Sequence, residues 1–217
     1  MNAVYLSAPV SALMKGLYEE DTTVANLRKR GDFGLGTFND LDGEMVMLDG
    51  TVYQLKTDGN AGLVDDASRM PFACVTFFHP TTGEEVEAEL DDAGFRDLLE
   101  RLLPSKNMFT AIRIDGHFPT LRAWSVPRQD NYHPIDAVRP RVFDFPDSEG
   151  TLVGFYTPKF LASLSMPGYH FHFLSADRSR GGHLFQCRLK RARIAVQFVP
   201  ELELNLPLTL DYMTADL

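Results

Sequence analysis

Gly168-Tyr169-His170-Phe171-His172-Phe173-Leu174 reads as one β-strand, and seven residues after Leu174 the chain reaches Gly181-Gly182-His183. Side chains alternate across a strand with a period of two, so His170 and His172 share one face and Phe171 and Phe173 the other. The polar run Ser175-Ala176-Asp177-Arg178-Ser179-Arg180-Gly181-Gly182 turns the chain back. His183 then arrives on the neighbouring strand, facing the first two histidines. Half of the chain's six histidines are gathered here. Three neutral imidazoles from adjacent strands, with no fourth protein ligand close by, describe an open zinc-type site with a position left for water or substrate. The bland alternative is two solvated strand histidines and an unrelated third. Cys187 follows His183 by four residues but lies roughly 13 Å along a strand, outside metal reach.

Working outward, the same strand grammar fills most of the chain. Met45–Leu48, Asp49-Gly50 and Thr51–Leu55 give a strong hairpin signal, and Ala111–Ile114, Asp115-Gly116 and His117–Ala123 read as a second hairpin. Further strands are expected at Phe72–Phe78, Thr151–Tyr156, Gly168–Leu174, His183–Leu189, Ile194–Val199 and Leu202–Leu206. Helices are few. Ala8–Tyr18 carries Val10, Leu13, Met14 and Leu17 at helical spacing, and Thr22 or Thr23 caps a short helix through Leu27. Asp91-Asp92 opens a third, with Phe95, Leu98, Leu99 and Leu102 on one face and Pro104 beyond its end. The expected class is α/β and β-dominated: two closely joined halves on mixed and antiparallel sheets, residues 1–125 and 126–217, the second carrying the histidines. The proline-rich stretch Val126–Pro146 is the expected join.

Composition sets the context. The 217 residues suit one domain or two intimately packed halves. A net charge of -9 without a basic cluster argues against nucleic acid, because phosphate neutralisation supplies most of that affinity. No apolar run is long enough to span a bilayer. Met1-Asn2-Ala3-Val4-Tyr5 has no basic leader pattern, and Cys74 and Cys187 read as free buried thiols, so a cytoplasmic protein is expected.

Three other pieces bear on chemistry. Gly31-Asp32-Phe33-Gly34-Leu35-Gly36-Thr37-Phe38-Asn39 has phosphate-loop-like glycines, but no lysine follows; close backbone packing or approach to a ligand is the better reading. Glu44 heads an apolar strand and Arg128 opens a loop; each reads blandly as a solvated surface group. His79, His117 and His133 stand alone and read as surface or packing residues.

In order along the chain, Gly31–Phe38, Leu41-Asp42-Gly43-Glu44-Met45, Pro71-Phe72-Ala73, Ala111–Gly116, Val126-Pro127-Arg128-Gln129, Pro167–Phe173 and Gly181-Gly182-His183 resemble the α-acetolactate decarboxylases of bacterial acetoin metabolism. The resemblance covers nearly the whole chain. It implies a zinc held by His170, His172 and His183, and decarboxylation of the small molecule 2-acetolactate to acetoin. It implies that Glu44 and Arg128 point into the metal cavity as catalytic groups, with Arg128 and Thr37 binding substrate, and that the protein is a homodimer. Family chains continue past the equivalent of Ala215-Asp216-Leu217 into a tail that returns another glutamate to the site. That carboxylate is therefore expected to be missing or supplied by another acidic residue. Two rival readings stand beside the resemblance: a non-enzymatic binding module with a structural zinc, which would call for a fourth protein ligand near His183, and a cupin-like metal-dependent oxygenase or isomerase acting on a small hydroxy or keto acid. The cupin pattern calls for a glutamate three or four residues after the second histidine, where Ser175 and Ala176 stand.

Overall fold

The computed structural model describes residues 2–130 and 132–217. Met1, where the leader reading begins, and Asn131, inside the proline-rich stretch, lie outside the described residues. In chain order the elements are β1 (Ala3–Leu6), α1 (Val10–Met14), β2 (Thr22–Thr23), α2 (Val24–Leu27), β3 (Phe33–Thr37), β4 (Glu44–Leu48), β5 (Thr51–Leu55) and β6 (Ala61–Leu63). There follow β7 (Arg69–Met70), β8 (Phe72–Thr76), β9 (Thr82–Val86), α3 (Asp92–Leu102), β10 (Phe109–Ser125) and β11 (Arg141–Thr157). The chain ends through β12 (Gly168–Ser175), β13 (Gly181–Arg188), β14 (Arg191–Val199), β15 (Glu201–Leu204) and α4 (Leu210–Thr214). No helix among the described residues is long and apolar enough to cross a membrane.

Two sheets carry the architecture, one ordered β15-β1-β8-β3-β4-β5-β6 and the other β11-β12-β13-β10-β14-β9. In the second sheet β10 and β11 also pair with each other along most of their length, closing β10, β11, β12 and β13 into a ring. Pairing is antiparallel except between β1 and β15. The β-dominated expectation is met. Sheet membership does not follow a split at Val126: β9, α3 and β10 belong with the later strands, while β15 returns to the first sheet beside β1.

A core between the sheets joins Leu6, Leu35 and Leu55 to Phe109, Phe155 and Leu174. A second core packs Phe95, Leu98 and Leu99 of α3 against Phe118, Phe171 and Phe173 of the ring. Phe173 is fully buried and meets Phe118 edge-on, with centroids 5.6 Å apart. Burying such a ring is worth about 1.5–3 kcal/mol. Phe171 and Phe173 thus occupy the face opposite the histidines, as the alternation requires.

Local signals survive where the chain itself decides them. Thr23 caps α2 through Asn26 N–H, and Asp91 caps α3 through Gly94 N–H at 2.9 Å. The expected helix over Ala8–Tyr18 is shorter, since Gly16 takes φ +90° and ends α1 within two residues. Asp49 and Gly50 have φ of 51° and 74°, the two positive angles that a tight hairpin between β4 and β5 needs. The second expected hairpin does not form: Asp115 and Gly116 lie inside the continuous strand β10. Gly116 serves close approach instead, because a Cβ there would come within 2.7 Å of the Arg191 carbonyl on β14. Asp115 is occupied by the Arg113 Nε–H and the Thr151 hydroxyl, each within 2.8 Å.

Glu20 is 5 % exposed and accepts the Thr209 hydroxyl at 3.3 Å, fastening the N-cap of α4 to the body. Burial pushes its carboxyl up to about 7. A raised folded-state value means that its contribution to stability is complete below the unfolded value near 4.5 and is lost as pH rises through about 7. Between pH 5.5 and 8.5, wild type should therefore lose about 1–2 kcal/mol more than Glu20→Gln in denaturant unfolding. Parallel pH profiles for the two proteins would refute the assignment.

Candidate metal centre

Register places the three histidines. His172 on β12 stands directly opposite His183 on β13, and His170 is two residues back on the same face. One ligand nitrogen from each falls within 4.8 Å of the others. His170 Nε2 and His172 Nε2 lie 3.2 Å apart. Two nitrogen–zinc bonds of 2.0–2.1 Å at a tetrahedral angle would subtend about 3.3 Å. His172 Nδ1 is 2.8 Å from the Met45 carbonyl oxygen, which can only accept, so the ring proton sits on Nδ1 and Nε2 keeps its lone pair. A backbone acceptor of this kind orients a metal-ligating imidazole. Burial holds His172 down to about 4, and burial together with the neighbouring imidazoles holds His170 and His183 well below the ordinary range. All three rings are therefore neutral at pH 7, the state in which they can bind a cation. Without an ion, His170 Nε2–H can donate to the His172 Nε2 lone pair across this gap; with that proton moved to Nδ1, three imidazole nitrogens converge as a donor set that fits a divalent metal.

His170 and His183 open onto a cavity of about 330 Å³ whose wall also includes Thr37, Glu44, Phe72, Trp124 and Met166. Glu44 pairs in register with Thr37 across β3 and β4, which brings both to the cavity. Its carboxylate is 3.4 Å from His172 Nε2, is 6 % exposed as a residue, and burial pushes it up to about 8. The bland solvated reading therefore fails for Glu44. Among the described residues no other carboxylate lines the cavity. The Thr37 hydroxyl donates to the Gly43 carbonyl at 2.7 Å and tightens the turn that delivers Glu44. Gly34 and Gly36 permit the crowding of β3 on β8, since a Cβ at either would come within 2.4 Å of a β8 carbonyl oxygen.

Arg128 is not brought to the histidines. Its side chain is 73 % exposed and its guanidinium donates to the Asp40 carboxylate, while the Gln129 amide donates to the Asp40 carbonyl at 2.6 Å. The neighbours Leu41 and Val126 line the cavity, so the ion pair stands at its rim and ties one rim segment to the other. The physical reason is local competition: Asp40, held at φ 61° in its turn, presents a carboxylate that captures the guanidinium first. The proline-rich stretch forms the wall itself, contributing Val126, Ile135, Val138 and Pro140. Trp124 went unread as a site residue. Its only sequence signal was two-residue alternation with Val126, and its place depends on β10 pairing with β13.

A β-dominated protein whose three neutral histidines converge beside an apolar cavity, with one buried carboxyl next to them, has a group that could hold a metal ion with a coordination position left open. The family model described as alpha-acetolactate decarboxylase matches residues 4–217, and the chain belongs to that family. The alpha-acetolactate decarboxylase of Klebsiella aerogenes is 39% identical, with 100% of this chain and 84% of the relative aligned. That of Bacillus licheniformis is 36% identical, over 100% of this chain and 87% of the relative. A crystal structure of the alpha-acetolactate decarboxylase of Bacillus subtilis strain 168 superposes with a TM-score of 0.95 at 35% identity, covering 99% of this chain and 93% of that one.

Proposed function

We propose that this protein decarboxylates 2-acetolactate to acetoin and carbon dioxide, using zinc held by His170, His172 and His183. The observation that carries the reading is the meeting of those three nitrogens with the one buried carboxyl, Glu44, in a single apolar cavity. 2-Acetolactate is a β-keto acid with a tertiary hydroxyl beside its ketone. Its C–C bond to the carboxylate breaks, carbon dioxide leaves, and the electron pair passes into an enediolate. When bound, a zinc ion supplies Lewis-acid stabilisation of the developing oxyanion and offsets part of the upward push on Glu44. Glu44, protonated near neutral pH by its burial, delivers its proton to the enediolate carbon from one side. Solvent then restores that proton. Thr37 fixes the turn behind Glu44, and the apolar wall excludes water that would compete as proton source.

Family membership favours this reading over the cupin-like oxygenase or isomerase, and the carboxyl beside the trio comes from β4 rather than from the strand of the histidines. The same reading takes the protein as a cytoplasmic homodimer, in keeping with its two buried free thiols. Purified protein given racemic 2-acetolactate should release acetoin and carbon dioxide in equal amounts, and a chelator should stop it. Absence of both products with metal bound would refute the activity.

Arg128 acts here at the rim, as a tie between the Asp40 turn and the Val126 loop. Arg128→Ala should leave metal content unchanged and lower kcat/KM less than about tenfold, because an exposed ion pair contributes at most about 1 kcal/mol. A loss comparable to removing an acid–base group would return Arg128 to the reacting substrate.

A further inference from the structure

Beyond Asn205, whose amide is fixed to the Leu6 carbonyl at 2.9 Å, the chain leaves the first sheet as residues 206–217. α4, within this segment, has no buried residue, and Leu206, Leu208, Leu210 and Met213 are each more than half exposed. Apolar packing therefore holds the segment weakly, and side-chain contacts do the fastening. The Thr209 hydroxyl, which caps α4, donates to Glu20 at 3.3 Å, and the Tyr132 hydroxyl donates to the Asp211 carboxylate at 2.5 Å. Tyr132 is itself pressed against the end of α1: its N–H donates to the Gly16 carbonyl at 2.7 Å, and a Cβ on Gly16 would come within 2.9 Å of its backbone. The residues just beyond it, Ile135 and Val138, form part of the cavity wall. The terminal segment is thus a strap fastened to Glu20 on one side and to the wall loop on the other.

Glu20 is a buried carboxyl without a counter-charge. Asp21 adjoins it in the chain, and Asp211 and Tyr212 face it from α4. Burial is the larger cause of its upward push, and the two aspartates add to it. Tyr5, Lys29 and Arg30 share with it a cavity of about 640 Å³. The cations nearby are occupied elsewhere: Arg30 by Glu203 at 2.6 Å and by the Tyr5 ring, Lys29 by Asn26 at 3.3 Å, and Arg69 by Asp21 at 3.3 Å. An ionised Glu20 would keep one neutral hydroxyl as donor and face two carboxylates, at a desolvation cost that water relieves once the strap moves away. We propose that Glu20 and Thr209 form a pH-sensitive catch: the strap of residues 206–217 is closed while Glu20 is protonated and lifts when it ionises, freeing Tyr132 and loosening the wall that follows it.

Hydrogen exchange with millisecond labelling tests the catch on the zinc-loaded full chain at pH 5.5 and 8.5, each rate being divided by that of an unstructured amide at the same pH. The α4 amides of Tyr212 and Met213, bonded to Thr209, should lose roughly tenfold in protection at the higher pH. The Tyr132 amide should lose protection by a smaller factor, and β12 and β13 should not change. Glu20→Gln should keep the strap closed at both pH values. Thr209→Val removes the donor and the cap, and should open it at pH 5.5 as well. Tyr132→Phe should leave the response of α4 in place and abolish that at residue 132. Protection of α4 independent of pH in the unaltered protein would overturn the catch even if no variant folds. So would a pH response retained in Glu20→Gln. A response in α4 with none at Tyr132 would overturn the transmission to the wall.

Discussion

Replacing His172 by alanine should empty the metal centre and reduce decarboxylation by at least roughly 10³-fold, the scale for losing a preorganised electrostatic stabiliser. His172 is fully buried, its Nδ1–H is committed to Met45, and its Nε2 lies 3.2 Å from that of His170. Two imidazoles would remain, and a pair closes too little of the coordination sphere to hold a dication against chelation. Removing the ring also takes away its hydrogen bond to the Met45 carbonyl, a loss of about 0.5–1.5 kcal/mol. His170→Ala separates the two effects, since among the described residues that ring's hydrogen-bond contact is with His172 and not with a backbone group. It should lose the metal equally with less loss of stability. His133 is exposed, and His133→Ala should retain both metal and turnover. Metal analysis, unfolding curves and acetoin release on the three variants decide the matter. Equal metal content in His172→Ala and His133→Ala would sink the ligand assignment.

Glu44→Gln should separate binding from chemistry. The amide keeps the shape of the side chain and its capacity to hydrogen-bond, but it cannot deliver a proton at neutral pH. Zinc content and KM should change little, because His170, His172 and His183 supply the proposed metal ligands and the apolar wall surrounds the substrate. Turnover should fall by roughly 10²–10⁴-fold, the range for a positioned acid–base group. Product stereochemistry is the sharper readout. Glu44 is the one carboxyl among the described lining residues, so without it the enediolate takes its proton from solvent on either side. The residual acetoin should approach a racemate. A slow variant that still makes one enantiomer would place the proton source elsewhere, and one that loses its zinc would make Glu44 a support of the metal.

Much of this molecule was legible because the signals are local. Alternation through His170-Phe171-His172-Phe173 needs only the pleat of one strand, and it correctly sent the imidazoles and the phenyl rings to opposite faces. The turn at Asp49-Gly50 and the caps at Thr23 and Asp91 depend on a few consecutive residues, whose backbone angles and side-chain acceptors are their own. The dipeptide Asp115-Gly116 shows where this reasoning stops. It has the same letters as Asp49-Gly50, yet pairing with β11 on one edge and β14 on the other keeps it extended, and distant strands outweigh a turn preference worth little by itself.

The sequence by itself determined the β-rich class, the three histidines on facing strands and the helix ends, all set by spacings of two to four residues. Tertiary structure alone decided that β15 returns to the first sheet, that Asp40 captures Arg128, and that Trp124 covers His183; for Glu44 the family resemblance already implied the cavity, and the fold added its depth of burial beside His172. Those outcomes turn on which distant segment reaches a group first and how completely it excludes water. No local pattern encodes either quantity, because both belong to contacts between residues tens of positions apart.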